Sequence, residues 1–398
     1  DTDRSRGLGD VYKRQVDYSM KFSIGRTAFT RGLNTVSRAI STKTTIPILT
    51  GLKIVAGPDG LVLTGSDADI SIETTLKADD PDNMLAIESA GAIVLPARFF
   101  TEIVKKLPKD TITLEVGENF QTMITSGQSS FTINGLDANN YPHLPEIQTN
   151  DSIPLAADLF KQIISQTVVA VSNQESRPIL TGVHFVISEN HVMAVATDSH
   201  RLSQRKVTLE KPINGSYDFV IPGKSLTELS KMIDDAQEEV SLSVTENQAL
   251  FVIGNTLFYS RLLEGNYPDT TRLIPDSHDT RISFEAPELL AAIERASLLS
   301  HESRNNVVKI TIDPDKKSVT IYGNSPDVGN VEEDLEPKTL EGNELEISFN
   351  PDYMKDALRS FSQATINIDF TSALRPFTLT PTEDSDSFVQ LITPIRTF

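Results

Sequence analysis

The chain has no cysteine and no tryptophan among its 398 residues. Without cysteine there is no disulfide and no thiolate metal centre, a composition that suits a reducing cytoplasm. Only six histidines are present, and none falls in a His-x-x-x-His or similar ligand spacing. No apolar run approaches the roughly 18 residues that a membrane span requires. The sequence has no GxxxxGK[ST], no GxGxxG opening a helix and no GxSxG, so phosphate-loop, dinucleotide and nucleophile-elbow chemistry find no anchor. Neither a metal nor a cofactor is expected. Positive charge is also short: 36 Lys and Arg against 55 Asp and Glu give a formal net charge of −19. Taken alone this disfavours nucleic acid, whose phosphates call for Lys and Arg. A sum does not say where the charges sit, however.

What remains is an ordinary globular composition, 38% hydrophobic and 23% charged, long enough for roughly two to four domains. Residues 1–19 mix Asp, Arg, Gly and Lys without periodicity and without an apolar core, so they are no secretory signal. Met20 then precedes a clean alternation at Phe22 and Ile24. Met20 reads as the natural initiator and the segment before it as a leader or cloning artefact.

The strongest positive signal is internal repetition. Pro47-Ile48-Leu49-Thr50-Gly51 recurs as Pro178-Ile179-Leu180-Thr181-Gly182, and Ser66-Asp67 recurs as Thr197-Asp198, both at an offset of 131. Pro96 with Pro222, and Asn140-Tyr141-Pro142 with Asn266-Tyr267-Pro268, recur at 126. The first copy therefore carries extra residues, and the acidic stretch from Lys77 to Asn83 is their natural place, as a surface loop. A weaker third copy places Phe284, Leu289, Leu290 and Ile293 like Phe22, Phe29, Leu33 and Val36, and Asn350-Pro351 like Pro96 and Pro222. Three tandem units of about 126 residues account for the chain from Met20 onward: 20–147, 148–276 and 277–398.

Each unit reads as a short strand, an amphipathic helix, strands, a second helix and more strands. Phe29, Leu33, Val36 and Ile40 define one helix face. Leu159, Phe160, Ile163, Ile164, Val168 and Val171 do so in the second unit, and Pro287 suits the first turn of the helix in the third. Second helices carry Phe99, Phe100, Ile103, Val104 and Leu107; Leu229, Met232 and Ile233, with Ser225 and Glu228 at capping-box spacing; and Tyr353, Met354, Ala357, Leu358 and Phe361, with Asn350 as N-cap. Strands outnumber helices and run in groups, which predicts an α+β fold with antiparallel sheet.

The outer faces of these helices are basic. They carry Arg26, Arg31 and Arg38, with Lys43 just beyond; Lys105 and Lys106; Lys224 and Lys231; Lys355 and Arg359. Acidic residues crowd the loops instead, as at Asp79, Asp80 and Asp82. One basic helix face is usually only a solvated face. Recurrence on several helices of an acidic chain points to a cationic surface that holds phosphate backbone without reading bases. Asp198, Ser199 and His200 suggest hydrolase equipment. Neighbouring strand residues point to opposite faces, though, so the run cannot form a triad by itself. No catalytic residue is assigned. A hydrolase using Asp198 and His200, and a protein scaffold that never touches DNA, stand as alternatives.

The threefold unit, the run Thr197-Asp198-Ser199-His200-Arg201-Leu202, the repeated Asn-Tyr-Pro and the ending Thr393-Pro394-Ile395-Arg396-Thr397-Phe398 resemble the bacterial β sliding clamps, the processivity subunits of DNA polymerase III. The resemblance covers Met20 to Phe398. It implies a non-catalytic, head-to-tail homodimeric ring of six domains that encircles double-stranded DNA. It also implies docking by the replicative polymerase, a clamp loader and other proteins carrying short clamp-binding motifs, with no membrane partner. It places DNA contacts at Lys43 and Gln174 beside the basic helix faces. It places a partner-peptide pocket at Leu180, Thr197, Ser199, His200, Arg201, Leu202, Pro268, Arg272 and Leu273, completed by Asn350, Tyr353, Leu374, Pro376, Leu391, Thr393, Pro394, Ile395 and Arg396. Thr393 and Ile395 stand where the family usually has methionines. The dimer interface would involve Phe131 with Leu298 and Leu299.

Overall fold

The computed structural model describes residues 20–397; the expected leader and Phe398 lie outside them. Among the described residues the chain forms four antiparallel sheets and six α-helices. The helices are α1 (Arg26–Ser37), α2 (Ala97–Lys106), α3 (Ala157–Val168), α4 (Gly223–Met232), α5 (Ala286–Ser300) and α6 (Pro351–Arg359). The chain divides into two compact units, one running to Ala157 and including Lys231–Arg261, the other made of Asp158–Ser230 and the residues from Leu262 on.

In the first unit, Phe29, Leu33 and Val36 are fully buried on α1. Phe22, Phe29 and Phe100 stack edge to face, with ring centroids 5.9 and 5.6 Å apart, tying the first strand to α1 and α2. α1 ends at Ser37, so Ile40 lies beyond the helix and not on its face. The Ala39 and Ile40 amides bond back three residues, to Val36 and Ser37, and tighten the last turn. In the second unit the α5–α6 core buries Leu289, Ile293, Met354 and Leu358. Pro287 lies in the first turn of α5, and Asn350 caps α6 by accepting the Asp352 amide at 2.9 Å. Helix α4 starts at Gly223, which puts Ser225 inside the first turn and not at the position before it, and there it is buried.

The repeated Pro-Ile-Leu-Thr-Gly has a local physical cause. Proline opens a 3-10 turn at Pro47–Thr50 and again at Pro178–Thr181. The Thr50 and Thr181 hydroxyls donate back to the Pro47 and Pro178 carbonyls, at 2.8 and 2.6 Å, and Leu49 and Leu180 are buried. The following strand starts on glycine because the next strand passes too close for a side chain. A Cβ on Gly182 would meet the Ile221 carbonyl oxygen at 2.6 Å.

Six strands decide how the sheets extend: β1 (Ile70–Lys77), β2 (Ser129–Asn134), β3 (Arg201–Thr208), β4 (Thr256–Arg261), β5 (Gly329–Leu335) and β6 (Phe388–Ile392). β4 of the second repeat pairs with β1 of the first, Phe258 opposite Ile72, so four strands from each repeat make one eight-stranded sheet. β6 of the third repeat pairs in the same way with β3 of the second, Gln390 opposite Ser203, inside a nine-stranded sheet. The corresponding strands β2 and β5 are left as edges, β2 of a five-stranded sheet and β5 of a four-stranded one.

A candidate partner-peptide pocket

The expected pocket residues all fall in the second compact unit. Asp198 to His200 form the turn between a strand ending at Thr197 and β3, and are not themselves strand residues. Asp198 Oδ1 accepts the amides of His200 and Arg201 at 2.9 and 3.0 Å, an Asx turn that puts Ser199 at a φ of 77°. The first repeat builds the same turn: Asp67 Oδ1 accepts the amides of Asp69 and Ile70, and Ala68 also has a φ of 77°. The repeated Ser/Thr-Asp is therefore a backbone device. The copies differ in the next three residues, Ser199-His200-Arg201 against Ala68-Asp69-Ile70.

Arg201 is the hub of the site. Its Nε donates to Asp198 Oδ2 at 3.1 Å and its Nη1 to Asp356 Oδ2 on α6 at 2.7 Å. The guanidinium carbon lies 4.4 Å from the centre of the Tyr353 ring, and the His200 ring is stacked on Tyr353 at 6.1 Å. Both carboxylate oxygens of Asp198 are thus engaged by backbone amides and by Arg201, and the Ser199 hydroxyl accepts from Arg177 at 3.2 Å. These partners leave Asp198, Ser199 and His200 organising a surface and not polarising a nucleophile.

Beneath the turn lies a small apolar cluster of Val195, Leu202 and Leu391, with Met193, Tyr267 and Ile274 packed against it. Leu180 is buried nearby in the chain's repeated turn. Leu273 and Leu374 are exposed, as are Arg272 and Arg396, while Pro268, Pro376, Pro394 and Ile395 are half-buried. The tail is pinned at two points: the Thr393 amide donates to the His200 carbonyl at 2.9 Å and the Ile395 amide to the Ser348 carbonyl at 2.8 Å. Tyr267, Asp356, Val195, Met193 and Ile274 were not singled out in the sequence. Tyr267 could have been, since it belongs to the repeated Asn-Tyr-Pro. Its hydroxyl accepts the Thr197 amide at 3.0 Å, its ring stacks on His184 at 4.8 Å, and burial drives its pKa upward.

The residues expected to face DNA divide into three groups. Lys43, Arg31, Arg38, Lys105 and Lys106 of the first repeat, and Gln174, Lys224 and Lys231 of the second, are exposed. Lys43 and Gln174 occupy matching turns, each amide bonded at 3.1 Å to a serine two residues earlier. Arg26 instead donates to the Leu107 carbonyl and is half-buried. In the third repeat the cations are paired: Lys355 with Asp352 at 3.3 Å, Arg359 with Glu294 at 3.4 Å and with Asp356 at 3.6 Å. Phe131 on β2 and Leu298 on α5 are exposed, and Leu299 is half-buried.

Among the described residues no helix is long and apolar enough to cross a membrane. Three family models cover the described chain almost end to end: the N-terminal, central and C-terminal domains of the DNA polymerase III beta subunit match residues 20–145, 154–269 and 271–396. The chain is 51% identical to the beta sliding clamp of Bacillus subtilis over 380 residues, 95% of this chain and 100% of that one. It is 46% identical to that of Staphylococcus aureus over the same extent. The crystal structure of the Bacillus subtilis DNA polymerase sliding clamp superimposes with a TM-score of 0.92 at 51% identity, covering 95% of this chain and 100% of that chain. The DNA polymerase III beta chain of Streptococcus pneumoniae does so with a TM-score of 0.92 at 45% identity and the same coverage. A threefold repeat, shared sheets between successive repeats and full-length matches of this kind have one explanation: the chain belongs to the DNA polymerase III beta subunit family, the non-catalytic β sliding clamps of DNA replication.

Proposed function

We propose that this clamp works as a head-to-tail homodimeric ring around duplex DNA, with domains at 20–147, 148–276 and 277–398, in the cytoplasm. The observation that carries the proposal is the unsatisfied third junction. Twice within the chain a closing strand pairs with the returning strand of the preceding repeat, β4 with β1 and β6 with β3. The leftover pair, β2 and β5, can repeat that junction only between copies. Two copies joined this way have two such junctions and leave neither β2 nor β5 as an edge, and a heterologous interface that closes gives a ring.

The register follows from equivalence. Phe131, Phe258 and Gln390 lie opposite Ile124, Phe251 and Leu379 on the preceding strands of their repeats. Ile72, Ser203 and Val331 lie opposite Gly65, Ala196 and Gly323. A Cβ on Gly65 or Gly323 would meet a carbonyl oxygen in the last turns of its repeat's first helix, that of Val36 or Ala296. Phe131 should therefore face Val331 of the second copy, beside Leu298 and Leu299.

Inside the ring, Lys43, Gln174, Arg31, Arg38, Lys105, Lys106, Lys224 and Lys231 form the surface toward DNA, with Arg26, Lys355 and Arg359 contributing less because a carbonyl and carboxylates already hold them. A lining of scattered cations suits sliding, because topology and not tight phosphate contact holds the duplex. The apolar cluster under Arg201 takes short peptides of the polymerase, the clamp loader and other clamp-binding proteins, with aliphatic and aromatic anchors. The test is loading onto nicked circular plasmid and then linearising it. Clamp retained on circles and lost from linear DNA supports encirclement; equal retention on both means ordinary binding and overturns it.

A further inference from the structure

The junction between copies has its own counterpart of the peptide pocket, and this inference rests on the dimer proposed above. One hydrogen bond recurs in each repeat and fixes the equivalence: the Leu136 amide to the Val94 carbonyl at 2.8 Å, Leu263 to Val220 at 2.9 Å and Ile395 to Ser348 at 2.8 Å. Leu136 therefore occupies the place of Ile395. Five residues past Val94 and Ser348 stand Phe99 and Tyr353, each in the first turn of its repeat's second helix. Across the junction, Asn324 opposite Asn330 corresponds to Thr197 opposite Leu202, and Ser325 opposite Gly329 continues that ladder. Val328, just before Gly329, takes the place of His200, which comes just before Arg201.

The side chains change character together. In the second and third repeats His200 and Arg201 lie against the Tyr353 ring, and Ile395 is half-buried. Their counterparts are Val328, Gly329, Phe99 and Leu136. Phe99 is 67% exposed, Val328 61% and Leu136 50%, and all three are among the large apolar side chains the chain leaves in water. Phe131 and Leu298, 44% and 71% exposed, belong to the same junction. Exposed apolar groups gathered at an unpaired strand edge mark an interface.

We propose that Phe99 and Leu136 of one copy receive Val328 of the other, forming an apolar latch that closes the ring where the pocket-equivalent would otherwise stand open. The occupant is a second copy of this chain, and the latch leaves no peptide site at that junction. Gly329 in place of Arg201 removes the guanidinium that would have wedged between the loop and the ring of Phe99.

The absence of cysteine makes a direct test clean. Phe99→Cys and Val328→Cys single variants of the full chain are mixed, allowed to exchange and oxidised. A disulfide-linked heterodimer joining the two variants, with little product from either alone, supports the contact. Sedimentation over a dilution series then compares wild type with Val328→Asp. The dimer dissociation constant should rise at least tenfold, and Phe99→Lys combined with Val328→Asp should recover part of the loss. A wild type that is monomeric at every concentration overturns the dimer itself. A wild-type dimer that is unaffected by Val328→Asp and gives no mixed disulfide keeps the strand pairing and removes the latch.

Discussion

Replacing Arg201 by alanine is the sharpest probe of how the peptide pocket is built. The side chain makes two charge-assisted hydrogen bonds, at 3.1 Å to Asp198 and 2.7 Å to Asp356, and lies over Tyr353. Such bonds contribute about 1.5–3 kcal/mol each where desolvated, and the ring contact adds about 0.5–1 kcal/mol. Two facts reduce the sum. The Asp356 side chain is 34% exposed, so its pair is screened. Asp198 keeps its two backbone donors after the change. A net loss of about 2 kcal/mol remains, which is about thirty-fold in an equilibrium. It falls on the order of the turn and of the Tyr353 ring, so it appears as weaker binding of a clamp-motif peptide by fluorescence anisotropy. It also appears as faster exchange of the Thr393 amide, which is held by the His200 carbonyl. Arg201→Lys should rescue little, because an ammonium lacks the planar fork that reaches both carboxylates. Wild-type peptide affinity and unchanged exchange in Arg201→Ala, or full rescue by lysine, would refute the reasoning.

Leu202→Ala empties the centre of the Val195–Leu391 cluster; about 2–5 kcal/mol of local stability should go, and peptide binding with it, while the dimer by sedimentation stays intact. Glu73 on β1 has its pKa raised by burial, with Lys53 opposing. A carboxyl whose folded pKa lies above its unfolded one opposes folding when ionised, and that cost fades as pH falls through the raised value. Glu73→Gln should therefore raise the thermal midpoint at neutral pH and lose its advantage at acid pH, as calorimetry at two pH values would record. Lys105→Ala should lower the salt slope of DNA binding by about one unit without changing sequence preference; an unchanged slope would take Lys105 out of the DNA-facing surface.

The repeat, the α+β class and most helix faces were legible in the sequence because they rest on local rules. Proline starts a turn, threonine closes it, glycine permits a close approach, and apolar residues recur at helical spacing. The same rules carried Ile40, Leu107, Val171 and Phe361 past the ends of their helices and set Ser225 at a cap, where the helices end or begin a few residues from the apolar pattern, and they counted Phe99, which is exposed, with the apolar set of α2. The sequence alone also established that Ser66-Asp67 and Thr197-Asp198 are copies, but not that they are turns whose carboxylate binds backbone. Only the tertiary structure decided that Arg201 reaches Asp356, 155 positions on, that Tyr267 supports Thr197, and that Lys355 and Arg359 are ion-paired. It alone revealed that β2 and β5 lack the partners their counterparts have. The physical reason is distance along the chain: periodicity reports which face of an element is apolar, whereas pairing across sheets depends on which elements meet, and only the folded backbone brings them together.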